Sequence, residues 1–157
     1  MFLHDVFLPE FIKVNLESED KDEVFEELVD HFCQVSKSKA REDILDALRI
    51  REAKMSTGIQ KGIAIPHGNC NAVETVCGVL GLSRKGIDYD ALDGEPVYLL
   101  FMIVTPQKDT EKHLRLLKFL SELLENPQFY IELQSQKDSQ GVYKTICKYE
   151  EMLAALE

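Results

Sequence analysis

Val97-Tyr98-Leu99-Leu100-Phe101-Met102-Ile103-Val104 is an unbroken apolar run of strand length, and Thr75-Val76-Cys77-Gly78-Val79-Leu80-Gly81-Leu82 is a second. Neither alternates polar with apolar residues. Such runs suit strands buried on both faces of a sheet. A third, shorter run, Gly62-Ile63-Ala64-Ile65-Pro66, is closed by proline. Between the two long runs, Asp88-Tyr89-Asp90-Ala91-Leu92-Asp93-Gly94 reads as a short strand or loop ending in a turn.

Outward from this centre the period changes to that of helices. Over residues 18–36, Ser18 is placed to cap a helix, with Glu19, Asp20, Asp22 and Glu23 near its positive end. Val24, Phe25, Leu28, Val29, Phe32 and Cys33 then share one face. Ser38 is placed to cap a second helix, with Ile44, Leu45 and Leu48 inward and Arg51 near its end. After Thr105-Pro106, residues 110–125 form a strongly amphipathic helix, with Leu116, Leu117, Leu120, Leu123 and Leu124 on one face. Asn126-Pro127 ends it. Residues 128–157 keep helical spacing through Ile131, Val142, Ile146, Met152, Leu153 and Leu156. Helices on both sides of a central strand set imply a layered α/β sandwich, and the missing βαβα alternation implies a mixed sheet.

Composition narrows the function. The chain has 157 residues, with 18 Lys+Arg against 28 Asp+Glu and a net charge of −10 at pH 7. No basic stripe offers itself to phosphate backbones, so no nucleic-acid partner is expected. The longest apolar run is far shorter than the ~20 residues of a membrane-crossing helix, so no direct membrane insertion is expected. The start, Met1-Phe2-Leu3-His4-Asp5, lacks the features of a signal peptide. Cys33, Cys70, Cys77 and Cys147 are widely spaced and read as reduced thiols of a cytoplasmic protein. Residues 1–157 read as a single domain, with neither linker nor repeat.

The chemistry concentrates at Gly62-Ile63-Ala64-Ile65-Pro66-His67-Gly68. Pro66 biases Ile65 towards an extended backbone. His67 is therefore expected to leave the end of a strand, with Gly68 permitting a tight turn and close backbone approach. A histidine presented there can serve as nucleophile or acid–base group, or can be an idle loop residue. Arg51 carries a planar fork suited to a phosphoryl group, although a helix-terminal arginine commonly just serves the dipole, and Arg49 competes for the role. His113 falls on the apolar face of the leucine-rich helix, as a core residue or as a neutral donor to an anion at the helix start. His67, Cys70 and Cys77 could offer three zinc ligands, but no fourth stands at characteristic spacing and no metal is expected. Gly58-Ile59-Gln60-Lys61-Gly62 is not a P-loop. His4 and His31 read as incidental, His31 facing solvent or an acid.

Arg51-Glu52-Ala53-Lys54-Met55-Ser56-Thr57-Gly58-Ile59, followed by the Ile-Pro-His segment, resembles the phosphorylation-site region of enzyme IIA domains. These belong to the fructose/mannitol/nitrogen-regulatory class of the bacterial phosphoenolpyruvate phosphotransferase system. Gly86-Ile87-Asp88-Tyr89-Asp90-Ala91-Leu92-Asp93-Gly94-Glu95-Pro96-Val97 is similar to a second landmark of that class. Thr105-Pro106 with His113-Leu114-Arg115-Leu116-Leu117 is similar to a third. The resemblance implies an α/β sandwich with a mixed central sheet. It implies that His67 accepts phosphate through Nε2, that Arg51 holds the phosphoryl oxygens, and that His113 hydrogen-bonds the transferred group. It places Ser56 and Thr57 in the approach to the site, with possible hydroxyl or backbone contacts. Its implied partners are an HPr-type phosphocarrier protein and a downstream IIB domain or regulatory target, with no cofactor. The stand-alone form resembles the nitrogen-regulatory proteins, with sugar uptake or a catalytically silent interaction module as alternatives.

Overall fold

The computed structural model describes residues 1–156. A short helix α1 (Leu3–Val6) and a 3-10 turn (Pro9–Phe11) lead into a two-residue strand β1 (Ile12–Lys13). Helices α2 (Lys21–Ser36) and α3 (Arg41–Lys54) follow, then three short strands, β2 (Gly58–Gln60), β3 (Ile63–Ala64) and β4 (His67–Asn69). The long strands β5 (Cys77–Ile87) and β6 (Val97–Thr105) come next, and the chain ends in α4 (Thr110–Leu124), α5 (Pro127–Ser135) and α6 (Ser139–Ala155).

The six strands form one mixed sheet in the order β1-β5-β6-β3-β2, with β4 also on β6. Strands β5 and β6 pair antiparallel, whereas β1 runs parallel to β5, and β3 and β4 run parallel to β6. Their side chains divide by the two-residue period of a strand. Leu80, Leu82, Leu99, Phe101 and Ile103 enter the layer beneath α1, α4, α5 and α6. Val79, Leu100, Met102 and Val104 enter the layer beneath α2 and α3. The uninterrupted apolar runs thus supply two cores from one sheet, with helices on both faces.

Strands β3 and β4 share one side of β6, separated by Ile65-Pro66. Proline has no N–H to give to a ladder, which breaks the pairing there. Its carbonyl still accepts Ile103 N–H at 2.9 Å. The preceding Gly58–Gly62 segment is a hairpin, with Gln60 opposite Ile63. Lys61 and Gly62 at its tip have φ of +53° and +81°. Two positive φ values fit the tight turn whose twist matches its strands.

The helix ends correct the cap assignments. Asp20, not Ser18, caps α2: its side chain accepts Glu23 N–H at 2.9 Å. Ser18 is buried and donates its hydroxyl to Glu27 at 2.6 Å. Helix α3 begins after Ala40, and Ser38 Oγ accepts Ala40 N–H instead of capping the first turn. Asn126 does end α4, but it also caps α5, with Pro127 in the first helical position. His31 is half-buried in an open depression lined by Glu26, Glu27 and Asp30, and its Nε2 lies 2.8 Å from the Glu10 carbonyl. No described helix is long and apolar enough to cross a membrane.

Candidate functional site

A cleft of about 330 Å³ opens between the end of α3, strand β4 and the start of α4. Ala47, Ile50, Arg51 and Lys54 come from α3, His67, Gly68 and Asn69 from β4, and Thr110, His113, Leu114 and Leu117 from α4. Arg51 and Lys54 are its only charged lining residues among those described, in a chain of net charge −10.

Gly68 explains how three separate elements meet. A Cβ there would lie 2.7 Å from the Ala47 carbonyl oxygen of α3. Only glycine lets β4 lie directly against α3, which brings Arg51 and His67 to one cleft. Gly68 acts through this close approach rather than through a turn. His67 likewise does not leave a strand; it opens β4, opposite Ile103 of β6. A His-Gly-Asn tripeptide has little intrinsic strand preference, and pairing with β6 overrides it.

The His67 ring has a defined tautomer. Its Nδ1 lies 2.7 Å from the Ile65 carbonyl oxygen. A carbonyl can only accept, so Nδ1 carries the proton and donates. In the neutral ring Nε2 therefore keeps its lone pair. Burial lowers the His67 pKa, the Ile65 carbonyl opposes this, and the nearby Arg51 charge lowers it further. The ring is thus kept neutral and nucleophilic at pH 7.

His113 stands beside it, with ring centroids 5.4 Å apart. It is 7% exposed, and its pKa is lowered to about 4 by burial first and by His67 second. Its Nδ1 lies 2.6 Å from the hydroxyl of Thr105, the buried last residue of β6. When Thr105 donates, Nε2–H of His113 is free to donate to an anion. The apolar-face position and the donor role are compatible in one residue.

Arg51 also combines two roles. One guanidinium nitrogen, Nη1, donates to the Met55 carbonyl at 2.8 Å and closes the end of α3, while the side chain lines the cleft. Arg49 is turned towards Glu26 (3.9 Å) and does not line the cleft. Ser56 and Thr57 do not line it either. Ser56 Oγ accepts Gly58 N–H, and Thr57 is 3% exposed with its hydroxyl donated to Glu52 at 2.5 Å. Their expected contacts with the transferred group give way to this internal bonding.

Lys54 was not legible as a site residue from its type alone, although it lies three positions after Arg51 on the same helix face. Thr105 was legible only as a landmark, and the Ile65 carbonyl carries no residue-type signal. Among the described residues no three His, Cys, Asp or Glu side chains group as metal ligands. Burial pushes the Cys77 thiol up to about 12, so it stays protonated.

Residues 5–149 match the family model described as "Phosphoenolpyruvate-dependent sugar phosphotransferase system, EIIA 2". The chain is 34% identical to the fructose-specific EIIABC component of Bacillus subtilis (strain 168), over 88% of this chain and 22% of that protein, so it spans under a quarter of that relative's length. It is 27% identical to a nitrogen regulatory protein of Bradyrhizobium diazoefficiens, over 93% of this chain and 95% of that one. A crystal structure of nitrogen regulatory protein IIA-Ntr from Neisseria meningitidis superposes with a TM-score of 0.81 at 27% identity, covering 92% of this chain and 98% of that chain. The chain belongs to the EIIA type-2 family of the phosphoenolpyruvate-dependent sugar phosphotransferase system.

Proposed function

We propose that the chain is a phosphohistidine carrier that accepts a phosphoryl group on Nε2 of His67 from an HPr-type protein. It then hands the group to a downstream protein or signals by its phosphorylation state. The observation that carries this reading is the bond from His67 Nδ1–H to the Ile65 carbonyl, which leaves Nε2 as the ring's basic nitrogen in a cleft with two cations.

The Nε2 lone pair attacks phosphorus in line. The donor N–P bond breaks as the Nε2–P bond forms, and the bonding pair returns to the donor imidazole, which is protonated on its other nitrogen and so leaves neutral, while the His67 ring takes up the positive charge. His67 keeps its Nδ1 proton on Ile65 throughout. Such transfer needs positioning and neutralisation of phosphoryl charge. Arg51 supplies a bidentate fork, Lys54 a second positive charge and His113 a hydrogen bond. Metal-free transfer between two imidazoles is consistent with this donor set, and the chain acts in the cytoplasm, where its donors reside.

Within this reading we favour the nitrogen-regulatory type, supported by the near full-length match to the Bradyrhizobium protein and the IIA-Ntr structure. The 34% identity to the fructose-specific component supports the second reading, donation to a IIB domain in sugar uptake. Intact mass after incubation with phosphoenolpyruvate, enzyme I and HPr tests the carrier function. One acid-labile phosphoryl adduct is expected, and none in His67→Ala. No adduct on folded protein would leave an interaction module without the chemistry. Chase of the adduct onto a IIB domain would favour uptake.

A further inference from the structure

Glu52 follows Arg51 on α3, yet its side chain leaves the cleft for a buried polar cluster and is only 6% exposed. Its Oε2 accepts Thr57 N–H at 2.7 Å, and its Oε1 accepts the Thr57 hydroxyl at 2.5 Å. The Tyr89 hydroxyl lies 2.7 Å from Thr57 Oγ1 and 3.2 Å from Glu52 Oε1. Lys21, the first residue of α2, reaches Glu52 Oε2 at 3.1 Å and lies over the Tyr89 ring at 4.8 Å. A buried carboxylate is costly unless its lone pairs are filled, and here four donors converge on it.

The cluster continues into the site through the backbone. The Thr57 carbonyl accepts Ile65 N–H at 3.0 Å. The Ile65 carbonyl in turn accepts His67 Nδ1–H at 2.7 Å. Ile65 is therefore held on one side by Thr57 and holds His67 on the other. It precedes Pro66, where the β3–β6 ladder is interrupted, so Thr57 supplies the hydrogen bond that fixes its N–H.

We propose that Glu52 is a positioning residue for His67, acting through Thr57 to fix Ile65 so that its carbonyl holds the ring in the Nδ1–H tautomer. This rests on the reading of His67 as the phosphoryl acceptor. A ring with no such acceptor would divide between two tautomers, one of which carries a proton on the attacking nitrogen. The Glu52 charge also raises the affinity of His67 for a proton, against the Arg51 charge and burial. Adjacent residues thus divide the work: Arg51 serves the incoming phosphoryl group, and Glu52 serves the nucleophile.

The test uses 15N-labelled protein in which long-range 1H–15N spectra report the His67 tautomer and titration, alongside the rate of phosphorylation by phospho-HPr. Thr57→Val keeps the side-chain shape and the backbone bonds but removes the hydroxyl link. It is expected to populate the Nε2–H tautomer and slow phosphorylation about tenfold, as small displacements of a reacting group do. Thr57→Ser restores both. Glu52→Gln is expected to do the same as Thr57→Val and to move the His67 titration to lower pH. If Glu52→Gln fails to fold, Thr57→Val carries the test. Unchanged tautomer in the folded variants overturns the proposal, even where the rate falls, because the role is then only structural. A wild-type chain that takes no phosphate on His67 would remove the carrier reading, while the tautomer and titration still decide this one.

Discussion

His4 and His67 each hold Nδ1 2.7 Å from a protein oxygen, and the two regions around them use the bond differently. At His4 the oxygen belongs to the buried carboxylate of Glu150, and Nε2 lies 3.7 Å from Asp5. Glu150 also accepts the backbone N–H groups of Leu3 and His4, at 2.6 and 2.9 Å. This histidine sits between acids and fastens α1 to α6. At His67 the oxygen is a neutral carbonyl, and the remaining nitrogen belongs to a cleft lined by Arg51 and Lys54. Acids on both nitrogens make a histidine a strap. A carbonyl on one and cations near the other suit it to the nucleophile's role proposed above.

The two regions should be separable by mutation. His67→Ala should abolish phosphorylation and leave the melting temperature within a few degrees, since the ring is not part of either core. Glu150→Ala should do the reverse. It leaves two backbone donors and a ring nitrogen without their acceptor, which should cost ~3 kcal/mol in chemical denaturation. Its phosphorylation rate should stay that of wild type. Loss of transfer in Glu150→Ala would show that the strap reaches the cleft.

His113 makes the cleft sensitive to pH. Its pKa falls from 6.5 in the unfolded chain to about 4 in the fold. Between those values the unfolded chain binds a proton that the folded chain refuses. The stability this histidine contributes is therefore present above pH 6.5 and is lost as the pH falls towards 4. The loss is on the order of 3 kcal/mol. Urea unfolding from pH 7 to pH 4 should show the slope, and His113→Gln should flatten it. An unchanged slope in that variant would assign the acid sensitivity elsewhere.

Arg51→Lys should slow transfer about tenfold, because an ammonium cannot reproduce the two-pronged contact, with only a small loss of stability from the exposed bond to Met55. Equal rates in single-turnover phosphorylation would remove Arg51 from the transfer step. His4→Ala is the smallest change. A partly exposed side-chain hydrogen bond contributes about 1 kcal/mol, and neither transfer nor its pH profile should move.

Much of this fold was legible because burial on both faces leaves a plain mark. The Val97–Val104 run needs no partner to announce a central strand. The two-residue β1 and three-residue β2 left none, since segments that short take their conformation from the sheet edge they join. The sequence points to Ser18 rather than Asp20 as the cap of α2 because both are good cap residues, and only packing shows that the Ser18 hydroxyl is committed to Glu27. In the site, His67, Arg51 and His113 are legible as side-chain types and do meet in one cleft. Thr57 is legible as a hydroxyl near the site, but not as one turned inward to Glu52. The atom that sets the His67 tautomer belongs to a backbone carbonyl, and side-chain chemistry alone cannot point to it.

The most direct measurement is the nitrogen that carries the phosphoryl group, read by 15N and 31P NMR of the phosphorylated, imidazole-labelled protein. Phosphorus is expected on Nε2 of His67, with Nδ1 still protonated. Phosphorus on Nδ1, or on any other residue, would contradict it.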